Sequence, residues 1–472
     1  MATLVRLLEG HPLALSIVSS DFEASHELTI REYVELLQNE DQRLSHLDDW
    51  ADSSRRARAT IEISYRHLPA DLQKFFLLLP LFEESDFDSA AVAAAADKPP
   101  LQIKKNLGRL CALTLVEEVR YAHDSHLPEA SEKMGQASDQ HIRYRLHSLI
   151  RLFAIEKAKE GDQSINGSEE RLANHYIQLV EKQSAYPFSS LQQDIEHILR
   201  SLTWLAQQGK WTLYRKTVNN LTNIQLGLAG FLDSRGHWSM AIELLHRCLQ
   251  DETLTTNPQG VAEIYLKLAL FYERQGKQVE ASAHLGLAEK AMLSSPVSPT
   301  EHRFWAYFYQ LRGRLNPSDV LMWSRRTLEQ IQQDETARAS YEKGYFLIWH
   351  GSVLGRQGMR DPAREDTQQG LTLLPPEANA ARINGLNALG ILQEISGDSQ
   401  AAITSWQQAM TSAKAVGDLR REGMLWANIG ATESRCGRLQ DAIVNKQAAL
   451  ERYRAVGFLS GQILTLSNLA AD

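Results

Sequence analysis

A small-residue pattern returns about every forty residues from Leu228 to the end of the chain, and it fixes what most of the polypeptide can fold into. A turn position falls at Gly236, Gly276, Asn316, Gly358, Gly397 and Gly437, in steps of 40, 40, 42, 39 and 40 residues. Seven residues before each turn stands Ala229, Ala269, Tyr309, Gly351, Gly390 or Gly430, and five after it stands Ala241, Ala281, Leu321, Ala363, Ala402 or Ala442. Small side chains at both places let two antiparallel helices approach closely. One such hairpin keeps an apolar face that it cannot bury alone, so neighbours must stack into a continuous core. The expectation is a mostly α chain, with about six helical hairpins over 228–472 forming a right-handed solenoid. The register places a truncated seventh repeat at Asn468-Leu469-Ala470. A solenoid normally finishes with a polar capping helix, and none follows. On this reading the sequence is a fragment of something longer.

The repeats resemble tetratricopeptide repeats in their longer, forty-residue form, as in "LALFYERQGKQVEASAHLGLAEKA", "LGILQEISGDSQAAITSWQQAM" and "IGATESRCGRLQDAIVNKQAAL". The third copy departs most. It has Asn316-Pro317 at the turn and Tyr309 and Leu321 where small residues belong, so its helices should pack wider or irregularly. The resemblance implies a surface that binds a protein or peptide.

With 472 residues the chain can bury several cores. No run approaches the roughly 18 apolar residues of a membrane span, and the start lacks the uninterrupted apolar segment of a signal peptide. A cytoplasmic location is the expectation. Cys111, Cys248 and Cys436 share no motif spacing and read as buried free thiols rather than a disulfide or metal framework. Residues 1–165 hold 19 Lys and Arg against 27 Asp and Glu, a balance of −8 that equals the charge of the whole chain. Nucleic-acid binders usually carry a basic footprint, because phosphate contacts supply most nonspecific affinity. The N-terminal third carries the opposite, so DNA binding through this chain is disfavoured.

That third reads as helices followed by a β-hairpin, the pattern of a winged helix. Gly10-His11-Pro12 bends an apolar helical stretch, and proline suits a helix start. A helix is expected where Ile30, Tyr33, Val34 and Leu37 share a face. Further helices are expected at Ala70–Leu79, Asp88–Ala96 and Leu101–Cys111. "LTLVEEVRY" then pairs with "HIRYRLH", where Ile142, Tyr144 and Leu146 alternate with Arg143 and Arg145. His147-Ser148 opens the next helix. Lys104, Lys105 and Arg109 stand where a DNA-reading winged helix would place recognition residues, or form a solvated face. His123, His126 and His141 lack a completing Cys or carboxylate at a familiar metal spacing, and no metal site is expected.

The segments "LLEGHPLALSIV", "SYRHLPADLQKFFLLLPLF" and "YRLHSLIRLFAIEKA" resemble three successive landmarks of the NB-ARC signalling ATPases. The resemblance implies that Pro12 packs on adenine and that His147 reaches an ADP phosphate. Leu146 and Ser148 replace the family's Met and Asp around that histidine. Ser148 can still cap the following helix, while loss of the carboxylate is expected to weaken control of the ADP-bound off state. No G-x-x-x-x-G-K-[ST] phosphate loop occurs in the sequence. Phosphoryl transfer therefore lacks its machinery here. The chain is read as nonenzymatic and without a cofactor of its own. ADP or ATP with Mg²⁺, and a ligand-induced oligomer, are implied only for a longer parent that includes the missing nucleotide-binding domain.

The expected organisation is a helical remnant at 1–54, a winged helix at 55–162, a connector at 168–227 and the repeats at 228–472. Trp305, Trp349 and Trp426 fall on first helices and are the candidate partner anchors, against the alternative that they fill space. Lys267, Arg382 and Arg421 are candidates for charge selectivity. The leading functional expectation is the sensor and regulatory part of an NB-ARC-type ATPase. The alternatives are a stand-alone interaction scaffold and a winged-helix transcription regulator.

Overall fold

A computed structural model describes residues 14–19, 31–32, 34–35, 52–83, 85–120, 142–160, 167–182, 189–222, 230–294, 301–333, 339–376 and 378–471. Pro12, His123, His126, His141 and much of the helix expected around Tyr33 lie outside them. The chain is mostly helical and divides into two compact units. Among the described residues, the first runs to Leu179 and takes in Gln193–Trp204; the second holds Val180–Gln192 and the chain from Leu205 onward.

In the first unit, α1 (Asp52–His67), α2 (Ala70–Phe76), α3 (Ser89–Ala96) and α4 (Pro100–Ala112) precede strands β1 (Glu117–Arg120) and β2 (Ile142–Arg145), and α5 (Ser148–Glu160) follows them. The helix expected over 70–79 is shorter. It ends at Phe76, and Leu79–Phe82 forms a 3-10 turn, because Pro80 has no N–H to continue an α ladder. Asp88 caps α3 by accepting from the Ala91 N–H at 2.7 Å. The strands pair antiparallel with Glu117 opposite Arg145 and Arg120 opposite Ile142. Tyr65, Phe76 and Phe153 join α1, α2 and α5 through ring contacts, with Tyr65 5.7 Å from Phe76 and 5.6 Å from Phe153.

The alternation expected along β2 breaks at both ends of its polarity. Ile142 is 38% exposed, whereas Arg143 is buried. Two carboxylates explain the inversion. Arg143 pairs with Asp86 and, at 2.7 Å, with Asp194 at the start of α7 (Ile195–Gln207), and it also donates to the Asp86 carbonyl at 2.8 Å. Burial works against the guanidinium charge, but the two carboxylates more than offset it. His197 on α7 holds the same Asp86 carbonyl at 2.9 Å and stacks on Tyr176 of α6 (Ser168–Lys182). Burial pushes the His197 imidazole toward its neutral form. The hairpin is thus tied by a buried ionic network to α7, beyond both α5 and α6 in the chain.

The second unit is the repeat array. After α8 (Trp211–Leu221), helices pair as α9 (Phe231–Ser234) with α10 (Trp238–Cys248), α11 (Pro258–Arg274) with α12 (Gln278–Leu293), and α13 (Glu301–Leu315) with α14 (Val320–Gln332). The series continues with α15 (Ala339–Arg356) and α16 (Arg360–Leu373), α17 (Asn379–Ile395) and α18 (Ser399–Val416), and α19 (Leu419–Arg435) and α20 (Leu439–Ala455). α21 (Leu459–Ala471) opens the seventh repeat. Gly236, Gly276, Gly358, Gly397 and Gly437 all take φ between +75° and +87°, the left-handed region that only glycine enters without strain.

The small-residue positions behave as close contacts. A Cβ on Gly351 would stand 2.6 Å from Thr367 Oγ1, and one on Gly390 would stand 2.4 Å from Trp406 Nε1. The third hairpin solves the problem differently. Asn316 keeps φ at −119° and Pro317–Asp319 forms a 3-10 turn. Tyr309 then stacks between Trp305 at 5.8 Å and Trp323 at 5.5 Å, filling the wider gap with rings. All three cysteines are free, but only Cys248 is buried; Cys436 is exposed, against expectation. It is the C-cap of α19, beside the Gly437 turn.

Gly390→Ala should destabilise the array by about 1–3 kcal/mol, because the Trp406 ring has no room to move. Gly286→Ala, with nothing within 4 Å of the added atom, should add up to about 1 kcal/mol from helix propensity alone. Urea unfolding of the two variants beside wild type checks the opposite signs.

Candidate functional site

First helices of successive hairpins are joined by polar contacts in a register close to the repeat length. Asp233 binds Arg274 through both oxygens, at 3.0 and 3.3 Å. Glu273 pairs with Arg314 and Glu394 with Arg435, the latter at 2.7 Å. Asn387 and Asn428 meet at 2.7 Å, and Arg303 meets Glu342 at 2.8 Å. Asp233 also accepts from Trp238 Nε1 at 3.1 Å. Burial opposes its negative charge, yet Arg274, Arg420 and Arg421 together hold the carboxyl well below the usual carboxylate range.

Arg421, a sequence candidate, is buried rather than displayed. Its backbone N–H and its guanidinium both go to Asp418, the N-cap of α19, and its Nε donates to Asn384 at 3.2 Å. Arg382 donates to the carbonyls of Leu371 and Leu374, each at 3.4 Å, so it closes a helix end. Trp305, Trp349 and Trp426 are each half-buried. Trp305 packs on Phe304, Phe308 and Tyr309. The Trp349 ring lies against Gly313, and Lys414 sits over Trp426 at 5.9 Å. The rings are thus largely engaged within the array. What sequence reasoning missed is the spacing signal: Asp233 to Arg274, Glu273 to Arg314 and Glu394 to Arg435 are all separated by 41 residues.

Lys267 occupies a different setting. It lines a cavity of about 240 Å³ with Arg215, Asn219, Cys248, Glu263 and Ile264. Its ammonium is buried, and Nζ donates to Asn219 Oδ1 and, at 3.3 Å, to Thr222 Oγ1. Burial lowers its pKa to about 8, against weaker support from Glu263. Beside it, burial pushes the Cys248 thiol up to about 12, so that group stays a thiol near neutral pH.

In the first unit His147 sits half-buried at the mouth of α5. Its Nδ1 accepts from the Leu149 N–H at 3.3 Å, and its carbonyl accepts from the Arg151 N–H at 3.0 Å. The ring itself therefore holds the N-cap role that the sequence assigned to Ser148. An Nδ1 that accepts from an amide must be unprotonated, which leaves the proton of the neutral ring on Nε2. Lys104, Lys105 and Arg109 are exposed along α4. Among the described residues, no His, Cys, Asp and Glu grouping could hold a metal ion, and no helix is long and apolar enough to cross a membrane.

No family profile matches the chain. Over 160 residues it is 29% identical to regulatory protein AfsR of Streptomyces coelicolor, covering 34% of this chain and 14% of that protein. Among solved structures, it is similar to a signal transduction ATPase with numerous domains, bearing a tetratricopeptide repeat sensor, from Pyrococcus horikoshii. That likeness has 14% identity and a TM-score of 0.38, over all of this chain and 68% of the other. BtubC from P. vanneervenii is similar over 48% of this chain and 91% of its own, with 15% identity and a TM-score of 0.35. Superpositions this loose carry no residue correspondences.

The Lys267 setting gives a signed pH dependence. Between pH 8 and 10.5 the unfolded chain holds the Lys267 proton more tightly than the folded one, so folding gains stability as pH rises through that window and loses it as pH falls. The shift from 10.5 to about 8 bounds the effect at roughly 3 kcal/mol. Lys267→Met removes the dependence, so the stability difference between wild type and variant should move in favour of wild type from pH 8 to 10.5. Chemical denaturation of both proteins across that range measures it; parallel pH profiles would contradict the assignment. On repeat register, landmark order and similarity to a regulatory protein taken together, the chain resembles the NB-ARC-type signal-transduction ATPases that carry tetratricopeptide repeats.

Proposed function

We propose that this chain is the regulatory and sensor portion of an NB-ARC-type signal-transduction ATPase. In this reading residues 55–162 form a winged helix that closes over ADP in an off state, with Pro12 against adenine and His147 toward a phosphate. Residues 168–227 form the connector, and the repeats over 228–472 bind the protein or ligand that is sensed. Catalysis belongs to a nucleotide-binding half supplied by a longer parent or in trans.

The observation that carries the nucleotide part is the geometry of His147. With Nδ1 engaged by the amide of its own helix, Nε2 is the nitrogen that carries the proton, a donor suited to a phosphate oxygen. It also stands at a helix N-terminus, where the backbone dipole favours an anion. The sensor part rests on the tandem hairpins, because stacked repeats create extended surfaces for partners. Ligand binding to the repeats would favour one state of the parent only by its differential affinity for the two. The exposed cations of α4 are three, and the acidic balance of this third counts against the transcription-factor alternative.

Release of a fluorescent ADP analogue from an NB-ARC nucleotide-binding half is the test. Adding this chain in trans should slow release by about tenfold, and His147→Phe should abolish the slowing while leaving the fold intact, which corresponds to about 1.4 kcal/mol of coupling. Unchanged release in the presence of the wild-type chain would reject the reading.

A further inference from the structure

The first and sixth hairpins meet. A Cβ on Gly236 would stand 2.4 Å from the Val456 carbonyl oxygen, and the Trp238 and Phe458 rings pack edge to face at 6.2 Å. Arg235 lies against the backbone of Gly417. Besides Arg235, the guanidiniums of Arg274, Arg314, Arg420 and Arg421 stand near this junction with the carboxylates of Asp233, Glu273 and Asp418. The pairs are Asp233 with Arg274, Glu273 with Arg314, and Asp418 with Arg421. Arg420 is left over. Among the described residues its Nε is buried without an acceptor. It feels Asp233 and Asp418, but also the repulsion of Arg274 and Arg421, and burial followed by that repulsion lowers its affinity for its proton.

A cation with no carboxylate of its own is costly in such a place, and the two that Arg420 feels, Asp233 and Asp418, already serve Arg274 and Arg421. Burial pushes the hydroxyl of Tyr453, which feels Arg420, up to about 12, so it stays neutral and brings no charge to the guanidinium. A ligand that fits must bring negative charge and acceptor oxygens without bringing protons. A carboxylate answers one guanidinium fork, whereas a phosphate offers three terminal oxygens and up to two charges to several donors at once. We propose that the junction of the first and sixth hairpins is a binding site for a small phosphorylated molecule, anchored by Arg420 and flanked by Arg274 and Arg421. The ligand strengthens the contact between the two hairpins, which makes it an input to the sensor. This deepens the sensor reading and rests on it for its regulatory meaning, not for the binding itself.

Thermal unfolding of the full chain, with pyrophosphate compared against sodium chloride and sodium acetate at matched ionic strength, tests the site. Pyrophosphate should raise the Tm of wild type by about 3 °C or more, with a measurable binding isotherm. Arg420→Gln should lose both responses. Without ligand it should melt no lower than wild type, because an unpaired charge has been removed. Arg420→Lys should retain part of the response, and Arg435→Gln, remote from the junction and paired on the exposed surface, should retain all of it. An absent wild-type response, an equal response to acetate, an equal response in Arg420→Gln, or a ligand-free Arg420→Gln that melts below wild type would each overturn the site. Loss of the pyrophosphate response with slowed ADP release intact rejects this ligand and keeps the sensor reading. Binding without any effect on ADP release supports the ligand and rejects the sensor reading.

Discussion

The distance between the two helices of a hairpin is the constraint from which the array follows. Gly351 faces Thr367 and Ala363, Gly390 faces the Trp406 ring, and Gly430 faces Lys446 and Ala442, each with no room for a further carbon. Helices held that close need a turn that reverses the chain in very few residues, and the left-handed glycine supplies it. They also leave ridges that only the next hairpin can fill, so packing spreads from neighbour to neighbour rather than toward one centre. The third hairpin shows the rule by its exception. Where Tyr309 and Leu321 forbid close approach, the turn lengthens into Pro317–Asp319, and Trp305, Tyr309 and Trp323 make an aromatic filling. Arg312 and Arg326 then cover the Trp323 ring at 4.9 and 5.1 Å.

Close packing sets spacing but not rotation between repeats, since apolar surfaces slide with little penalty. The polar contacts between first helices supply the missing register. A bidentate pair such as Asp233 with Arg274 has one good geometry, and an error of one residue would strand a buried carboxylate and a half-buried guanidinium. Their net worth in stability is small for that reason, and their value lies in excluding alternatives. The same argument applies to Arg143 in the first unit, where Asp86 and Asp194 come from opposite sides of the chain's sequence to hold one guanidinium.

How much of this was legible depends on whether the signal was periodic. The hairpins, their turns and the irregular third copy could be read directly, because each depends on residue size at fixed spacing. The antiparallel pairing of 117–120 with 142–145 was legible for the same reason. Arg143 was misread because alternation assumes that charge faces water, and nothing local announces that Asp86 and Asp194 will enclose it. The capping role of His147 was not read, since the capping preference for Ser pointed to its neighbour. The tryptophans drew attention by size, whereas the first-helix polar register used Asp, Glu, Asn and Arg at a 41-residue step and was hidden among ordinary surface charges. Pro12 lies outside the described residues.

The junction of the first and sixth hairpins combines two kinds of contact with different consequences. Trp238 against Phe458 is apolar, and such a contact holds regardless of what else is bound. Were the whole junction built that way, the two hairpins would stay together in every state and report nothing. The arginines beside it do the reverse: each carboxylate offsets one guanidinium, and the remaining charge of Arg420 pushes against Arg274 and Arg421. A contact so nearly balanced is shifted by a modest differential affinity, because only the last charge has to be answered. A half-buried ionic junction is therefore a poor choice for stability and a good one for a sensor, and the placement of Arg420, its Nε buried without an acceptor, at the meeting of distant repeats is intelligible on that ground.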